Sequence, residues 1–573
     1  MRPATRIIYL GFAVLSSIAR AAERPAVRAP HGMVASSSDL ASRVGAEILR
    51  GGGNAVDAAV ATALALAVTH PSAGNLGGGG FMVIRMADGR STAIDYRETA
   101  PAAASRTLYL DAKGEVIPEA STIGYRAVGV PGTVAGLALA LQRYGTLPWV
   151  KVVEPARHLA DEGFLLSRDL ADQLAGQEEK FRAFPESRRI FNRDGRLYRE
   201  GERLKQPELA ATLRRLAKDG PREFYEGETS RRIDADMKAH GGLISLEDLR
   251  TYRPAERPLL RGTYRGYEVL TMPPPSSGGA TLLQMLNVLE GFDLAALGPG
   301  SSAADHLEVE AMRRAFADRA LFFGDPDFGA VPVAPLISKG YAKQQRSTID
   351  RAHATPSASI AANRPPPQES NHTTHFSVID AAGNAVSNTF TLNLGFGSGA
   401  VVTGAGFLLN DEMDDFTSKP GVPNAFGLIQ GEANAIAPHK RPLSSMTPTV
   451  VLKDGQLWAV LGSPGGPTII NSVLEVLLAT IDFGMEPQAA VDFPRIHHQW
   501  MPDVVFIEPD GRSADSQAAL SARGQHVAST RDFMKKTPYP YLGDVEAVFI
   551  DPQTHERLGV SDPRGGDSGS EGY

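Results

Sequence analysis

The sequence predicts an α+β protein, and three patterns carry that reading. Residues 39–68 hold two stretches of helical composition separated by glycines. A middle region from about 108 to 345 is rich in helical patterns. From His375 onward, runs of alternating or β-branched residues read as strands. Helix-rich and strand-rich stretches that follow one another in blocks are the mark of this class.

Composition narrows the function. The chain has 573 residues, 42 % apolar and 21 % charged, enough for a large buried core. A net charge of −7 leaves no basic excess to neutralise phosphates, which argues against nucleic acid as a partner. There is no cysteine. That excludes a thiolate nucleophile, thiolate-bound zinc, iron–sulfur clusters and disulfides. At the start, Arg2 and Arg6 precede an apolar run from Ile7 to Ala19, with small residues at Ala19, Ala21 and Ala22. This is the order of a secretory signal peptide, assigned to residues 1–22. The run is too short to span a bilayer comfortably, and no later segment is apolar enough to do so. The expectation is an exported protein, periplasmic or secreted, with no membrane partner.

The elements follow in order. Asp39 to Arg50 reads as a helix stopped by Gly51-Gly52-Gly53, and Asn54 as the N-cap of a second, Ala55 to Val68. That second helix is apolar on nearly every face except at Asp57, so it belongs at the centre of a fold. The loop Gly74-Asn75-Leu76-Gly77-Gly78-Gly79-Gly80 lacks the Gly-Lys-Ser/Thr of a phosphate cradle and suits close backbone packing. Met82 to Arg85 and Ser91 to Tyr96 form a hairpin about Asp88-Gly89. Helices are expected at Thr133 to Tyr144, Pro207 to Lys218, Gly279 to Leu289 and Ala303 to Phe322. Ser347 to Ser370, rich in Ser, Ala and Pro, reads as an exposed irregular segment. Later strands are expected at Thr449 to Leu452, Trp458 to Leu461, Asp544 to Ile550 and Leu558 to Val560, with a helix at Ile470 to Ile481. His497 and His498 would point to opposite faces of a strand. They are therefore read as structural or surface residues, and no metal is expected.

The junction after the Pro-rich segment holds Thr373-Thr374-His375, where a hairpin begins. With Ala381 to Gly383 as its loop and Gly383 left-handed, Asp380 pairs with Asn384 and Thr373 falls opposite Thr391. Asn393 lies two residues further on the same face. A threonine hydroxyl is a weak nucleophile without a base. If the His372–Thr373 bond were cut, the new α-amine, with a reference pKa of about 8, could serve as that base. Thr and Ser are also common in strands for structural reasons alone.

The stretch from Ser370 to Val378 resembles the processing site of γ-glutamyltranspeptidases, also called glutathione hydrolases. The likeness continues in order through Asn384-Ala385-Val386, Thr391-Leu392-Asn393, Leu409 to Phe416, Arg441 to Met446 and Gly462-Ser463-Pro464-Gly465-Gly466. Upstream it includes Asn75 to Phe81 and Tyr96-Arg97-Glu98, so it covers nearly the whole chain after the leader. The resemblance implies the four-layer αββα sandwich of N-terminal nucleophile hydrolases. It implies a precursor cut into a large fragment, residues 23–372, and a small one, residues 373–573. It also implies transfer of γ-glutamyl groups from glutathione and related compounds to water, amino acids or dipeptides, with no cofactor.

In that reading Thr373 is the nucleophile, Thr391 hydrogen-bonds it, and the backbone N–H groups of Gly465 and Gly466 hold the oxyanion. Arg97, Ser444 and Ser445 take the substrate α-carboxylate. Asn393, Glu412 and Asp415 take its α-ammonium. Three residues depart from well-known bacterial relatives: His372 and Glu412, each in place of Gln, and Phe426, in place of a Tyr on the loop that covers the pocket. Two other readings are a cephalosporin acylase of the same family, acting on glutaryl groups, and an uncleaved envelope binding protein.

Overall fold

The computed structural model describes residues 25–360, 373–509, 511–533 and 541–573. The predicted leader and His372 lie outside the described residues. No helix among the described residues is long and apolar enough to cross a membrane.

Two seven-stranded sheets form the centre. In one, the strands run Gly569–Gly572, Met33–Ser36, Thr374–Ile379, Ala385–Thr391, Gly79–Arg85, Ser91–Asp95 and Ala255–Arg257. In the other the order is Val27–Ala29, Arg557–Ser561, Glu546–Ile550, Gln456–Gly462, Thr449–Lys453, Tyr267–Thr271 and Leu260–Tyr264. Every pairing within both sheets is antiparallel.

Alternation along the strands sorts the side chains into three apolar layers. Phe376 and Val378 face helices Asp39–Arg50, Ala55–Thr69 and Thr133–Tyr144. Ile379 and Ala385 face Val450, Val460 and Val548 of the other sheet. Val451, Leu461 and Phe549 face helices Gly278–Leu289, Ser302–Phe322 and Thr468–Ile481 on the far side. The result is helix, sheet, sheet, helix: the αββα sandwich implied by the sequence.

Local rules explain the central helix. All of Ala55–Thr69 is buried. Asn54 Oδ1 accepts the N–H groups of Val56 and Asp57, while Asp57 accepts the Asn54 N–H in return, a capping box. Asp57 also accepts the N–H groups of Thr146 at 2.9 Å and Leu147 at 3.0 Å. The one charge on an apolar helix thus fixes a neighbouring turn.

One expectation needs correction. The stretch from Ser347 is not irregular and exposed throughout. Thr355 donates its N–H to Glu310, Ser357 is fully buried, and its N–H goes to Asp503 at 2.8 Å. Residues 361–370 of that stretch lie outside the described residues.

Candidate active site

The hairpin Thr374–Ile379 and Ala385–Thr391 carries the site at its open end. Thr374 pairs with Phe390 and Ile379 with Ala385, the register read from the sequence, and it brings Thr373 level with Thr391. Gly383 has φ +85°, the left-handed turn position expected of it. Thr391 is fixed from two sides. Its Oγ1 accepts the Asn393 N–H at 2.9 Å, and its carbonyl accepts Asn75 Nδ2 at 2.8 Å. The Gly-rich loop therefore packs its backbone against the hairpin: a Cβ on Gly78 would lie 2.1 Å from the Thr391 carbonyl oxygen.

Asn393 does not reach the site by strand alternation. The strand ends at Thr391, and Asn393 takes φ +80°, a left-handed turn. Its Nδ2 donates to the Asp411 carbonyl at 3.0 Å. Asn tolerates this conformation better than most residues.

Thr373, Thr391, Asn393, Arg97, Glu412, Asp415, Ser444, Ser445 and Gly466 line one small cavity, closed over by Phe426 and Leu428. Every site residue predicted within the described stretch is thus gathered there, except Gly465. Gly465 lies on the other side of Thr373, in an adjoining cleft. The two glycines have φ +128° and +55° and precede the N-terminus of helix Thr468–Ile481, the positive end of its dipole. A Cβ on Gly466 would lie 2.6 Å from the Phe426 ring. Gly466→Ala is expected to push that ring aside and strain the backbone. It should lower kcat about 10²-fold while donor KM changes less, measurable by steady-state kinetics.

Arg97 is fully buried, not a surface residue. Its guanidinium donates to Glu412 and Asp415 and, at 3.2 Å, to the carbonyls of Pro442 and Leu443. Burial disfavours its charge, but Glu412, Asp415 and Glu98 outweigh that and hold it firmly protonated. The same burial raises the carboxyls around it. Glu98 is pushed up to about 7, against the opposing pull of Arg97, and Glu412 well above the carboxylate range. Three carboxyls thus share one guanidinium, and partial protonation relieves the excess of negative charge.

Two features were not read from the sequence. Arg319, fully buried on helix Ser302–Phe322, donates to Ser277 Oγ at 2.9 Å and Ser445 Oγ at 3.0 Å. It orients a predicted carboxylate-binding hydroxyl from behind. Asp414 anchors the covering loop. It accepts Ser121 Oγ at 2.6 Å and the Ala425 N–H at 2.8 Å, beside Asn424, which accepts the N–H groups of Phe426 and Leu428. His497 and His498 are fully buried. His497 hydrogen-bonds Asn471 and Gln499, in keeping with the structural half of the reading.

A threonine at the head of a buried hairpin, beside two glycines and a guanidinium held by acids, is an arrangement suited to acyl transfer through the threonine hydroxyl. Comparison with known proteins agrees. The gamma-glutamyltranspeptidase family model matches residues 41–572. The chain belongs to the γ-glutamyltranspeptidase family. It is 48 % identical over 548 residues to the glutathione hydrolase proenzyme of Escherichia coli (strain K12), covering 96 % of this chain and 93 % of that one. It is 50 % identical over 511 residues to the glutathione hydrolase proenzyme of Pseudomonas sp. (strain A14), covering 89 % and 88 %. Among solved structures, cephalosporin acylase from Bacillus halodurans superposes with TM-score 0.84 at 29 % identity, over 97 % of this chain and 98 % of that one. The fold is that of the N-terminal nucleophile hydrolases, and the chain is an enzyme of this family.

Proposed function

We propose that the chain is an exported precursor that cuts itself between His372 and Thr373, and that freed Thr373 then moves γ-glutamyl groups from glutathione and related compounds to water or to amino acids and dipeptides. The junction carries the processing step. Thr373 Oγ attacks the His372 carbonyl, the peptide becomes an ester, and water opens it to leave Thr373 with a free amine. The two fragments stay together because both contribute strands to each sheet. Strand Thr374–Ile379 lies between Met33–Ser36 and Ala385–Thr391.

In turnover the Thr373 amine takes the proton from Oγ, and Oγ attacks the γ-amide carbonyl. The Gly465 and Gly466 N–H groups hold the oxyanion. The amine leaves with the proton, and water or an acceptor amine then opens the γ-glutamyl ester. No step calls for a cofactor.

The observation that carries the γ-glutamyl assignment is the charge pattern around Arg97. The cavity is small, about 20 Å³, and the guanidinium on its wall is tied to Glu412 and Asp415. A zwitterionic head can exchange with those ties without loss of charge balance. Its α-carboxylate takes the Arg97 fork together with Ser444 and Ser445, and its α-ammonium takes Asn393, Glu412 and Asp415. A glutaryl group would occupy Arg97 and leave two buried acids without a counter-charge. The likeness to a cephalosporin acylase structure keeps the glutaryl reading as the second choice.

The test is kcat/KM for γ-glutamyl-p-nitroanilide against glutaryl-p-nitroanilide. A preference of about 10²-fold or more for the γ-glutamyl compound is expected. Equal rates, or faster glutaryl release, would overturn the assignment.

A further inference from the structure

A second buried guanidinium stands behind the head-group pocket. The pocket wall includes Ser444 and Ser445 but not Arg319, which lies one side chain further back on helix Ser302–Phe322. A fully buried arginine is normally paired with an acid. Arg97 follows that rule and Arg319 does not. Among the described residues no carboxylate forms an ion pair with it. Acids of its own helix are committed elsewhere: Asp305 to Arg512, Glu310 to Arg313 and Arg314, and Asp318 to Gln284, Tyr341 and Gln345. Asp415 is close enough to favour the Arg319 charge, but its own ion pair is with Arg97. Burial outweighs that help and lowers Arg319 to about 10. It therefore stays protonated at neutral pH, with a charge that its surroundings leave poorly balanced.

The hydrogen bonds around it show where a balancing anion would come from. Arg319 Nε donates to Ser277 Oγ at 2.9 Å, and Ser277 Oγ donates in turn to the Ser444 carbonyl at 2.7 Å. Arg319 Nη2 donates to Ser445 Oγ at 3.0 Å. A hydroxyl that accepts from a guanidinium must turn its own proton elsewhere. Among the described residues no acceptor receives the Ser445 proton. Ser444 Oγ is occupied in the same sense, since it accepts the Met446 N–H at 3.1 Å. Both hydroxyls line the head-group cavity, so both have a proton to offer there. A cation behind a hydroxyl polarises it and strengthens the bond that it donates to an anion.

We propose that Arg319 is a positioning residue for the α-carboxylate of the donor, acting through Ser445 as the second cation of the head-group site. The inference rests on the γ-glutamyl reading above. Arg97 meets the carboxylate directly, but its charge is shared with Glu98, Glu412 and Asp415. Arg319 has no such competitors. It holds the Ser445 hydroxyl with its proton toward the pocket, and the bound carboxylate supplies the counter-charge that Arg319 lacks. It touches no reacting atom and takes up no proton in turnover.

The experiment compares γ-glutamyl-p-nitroanilide with the same anilide whose α-carboxylate is capped as a carboxamide, which keeps the shape and removes the charge. Nitroaniline release is measured on processed enzyme, with both fragments confirmed on a denaturing gel. Wild type is expected to prefer the carboxylate donor about 10²-fold in kcat/KM. In Arg319→Gln that preference should fall about tenfold, through donor KM more than kcat. Arg319→Lys keeps the charge, but one ammonium cannot replace a fork that reaches two hydroxyls, so the preference should fall several-fold. The preference for γ-glutamyl over glutaryl anilide, which reads the ammonium side of the pocket, should not fall in either variant. A purely structural role would slow all donors together. An unchanged carboxylate-to-carboxamide ratio in every variant that folds overturns this inference and leaves the γ-glutamyl reading standing. A wild type without the carboxylate preference overturns the head-group reading and this inference together.

Discussion

Thr373→Ala should accumulate as one uncleaved chain with no measurable turnover of γ-glutamyl-p-nitroanilide. The alanine lacks the oxygen that both reactions use, and a residue that acts in every step cannot be replaced by its neighbours. Loss of a covalent nucleophile costs on the order of 10⁶-fold in kcat. The fold should survive, since Thr373 sits one residue before the paired strand and is 8 % exposed. Thr373→Ser retains the hydroxyl and should still be cleaved, at a lower rate. A gel under denaturing conditions and an anilide assay on the same samples check this. An alanine variant that still splits at this junction, or still turns over, would refute the role given to Thr373.

Arg97→Ala should lose both donor binding and stability. The guanidinium is the counter-charge for three buried acids, Glu98, Glu412 and Asp415, with side-chain exposures of 0 %, 1 % and 12 %. Removing one member of a buried ion cluster costs about 3–5 kcal/mol, because the remaining charges stay desolvated. Those acids would take up protons instead, which raising the pH would oppose. The loss of stability should therefore be larger at pH 8 than at pH 5. Arg97→Lys restores the charge without the planar fork. It should recover much of the stability while donor KM stays raised by about 10²-fold. Denaturant unfolding and donor KM, measured on both variants, separate the two effects. A lysine variant with wild-type KM would show that fork geometry does not matter here.

Much of the fold was legible because local signals agreed with the final environment. Helix Thr133–Tyr144 has the expected ends, and Pro207–Asp219, Gly278–Leu289 and Ser302–Phe322 each differ by a single residue. The hairpin register could be counted because Gly383 fixes the loop. Edge and return strands were not legible. Gly569–Gly572, with sequence GSEG, has no strand propensity and pairs only because Met33–Ser36 presents an open edge to it.

The site divides the same way. Thr373, Thr391 and the two glycines lie in local motifs, whereas the grip of Arg97 on Glu412 spans 315 positions and came only through family resemblance. Arg319 has no local signal: it is one of several charged residues on its helix, with Glu310, Arg313 and Arg314. Glu310 pairs with Arg313 and Arg314 within the helix, but Asp503 and the hydroxyls of Ser277 and Ser445, which hold Arg313 and Arg319, come from elsewhere in the chain. A charge run says nothing about burial until its partners are known.

The central claim is that Thr373 becomes a free N-terminus and carries the acyl group. Mass spectrometry of purified wild-type enzyme, acid-quenched during turnover of γ-glutamyl-p-nitroanilide, tests it directly. Two fragments are expected, the smaller beginning at Thr373, with one γ-glutamyl group on the peptide that contains this residue. An active chain left uncut at this bond, or an acyl group trapped on a peptide that lacks Thr373, would contradict it.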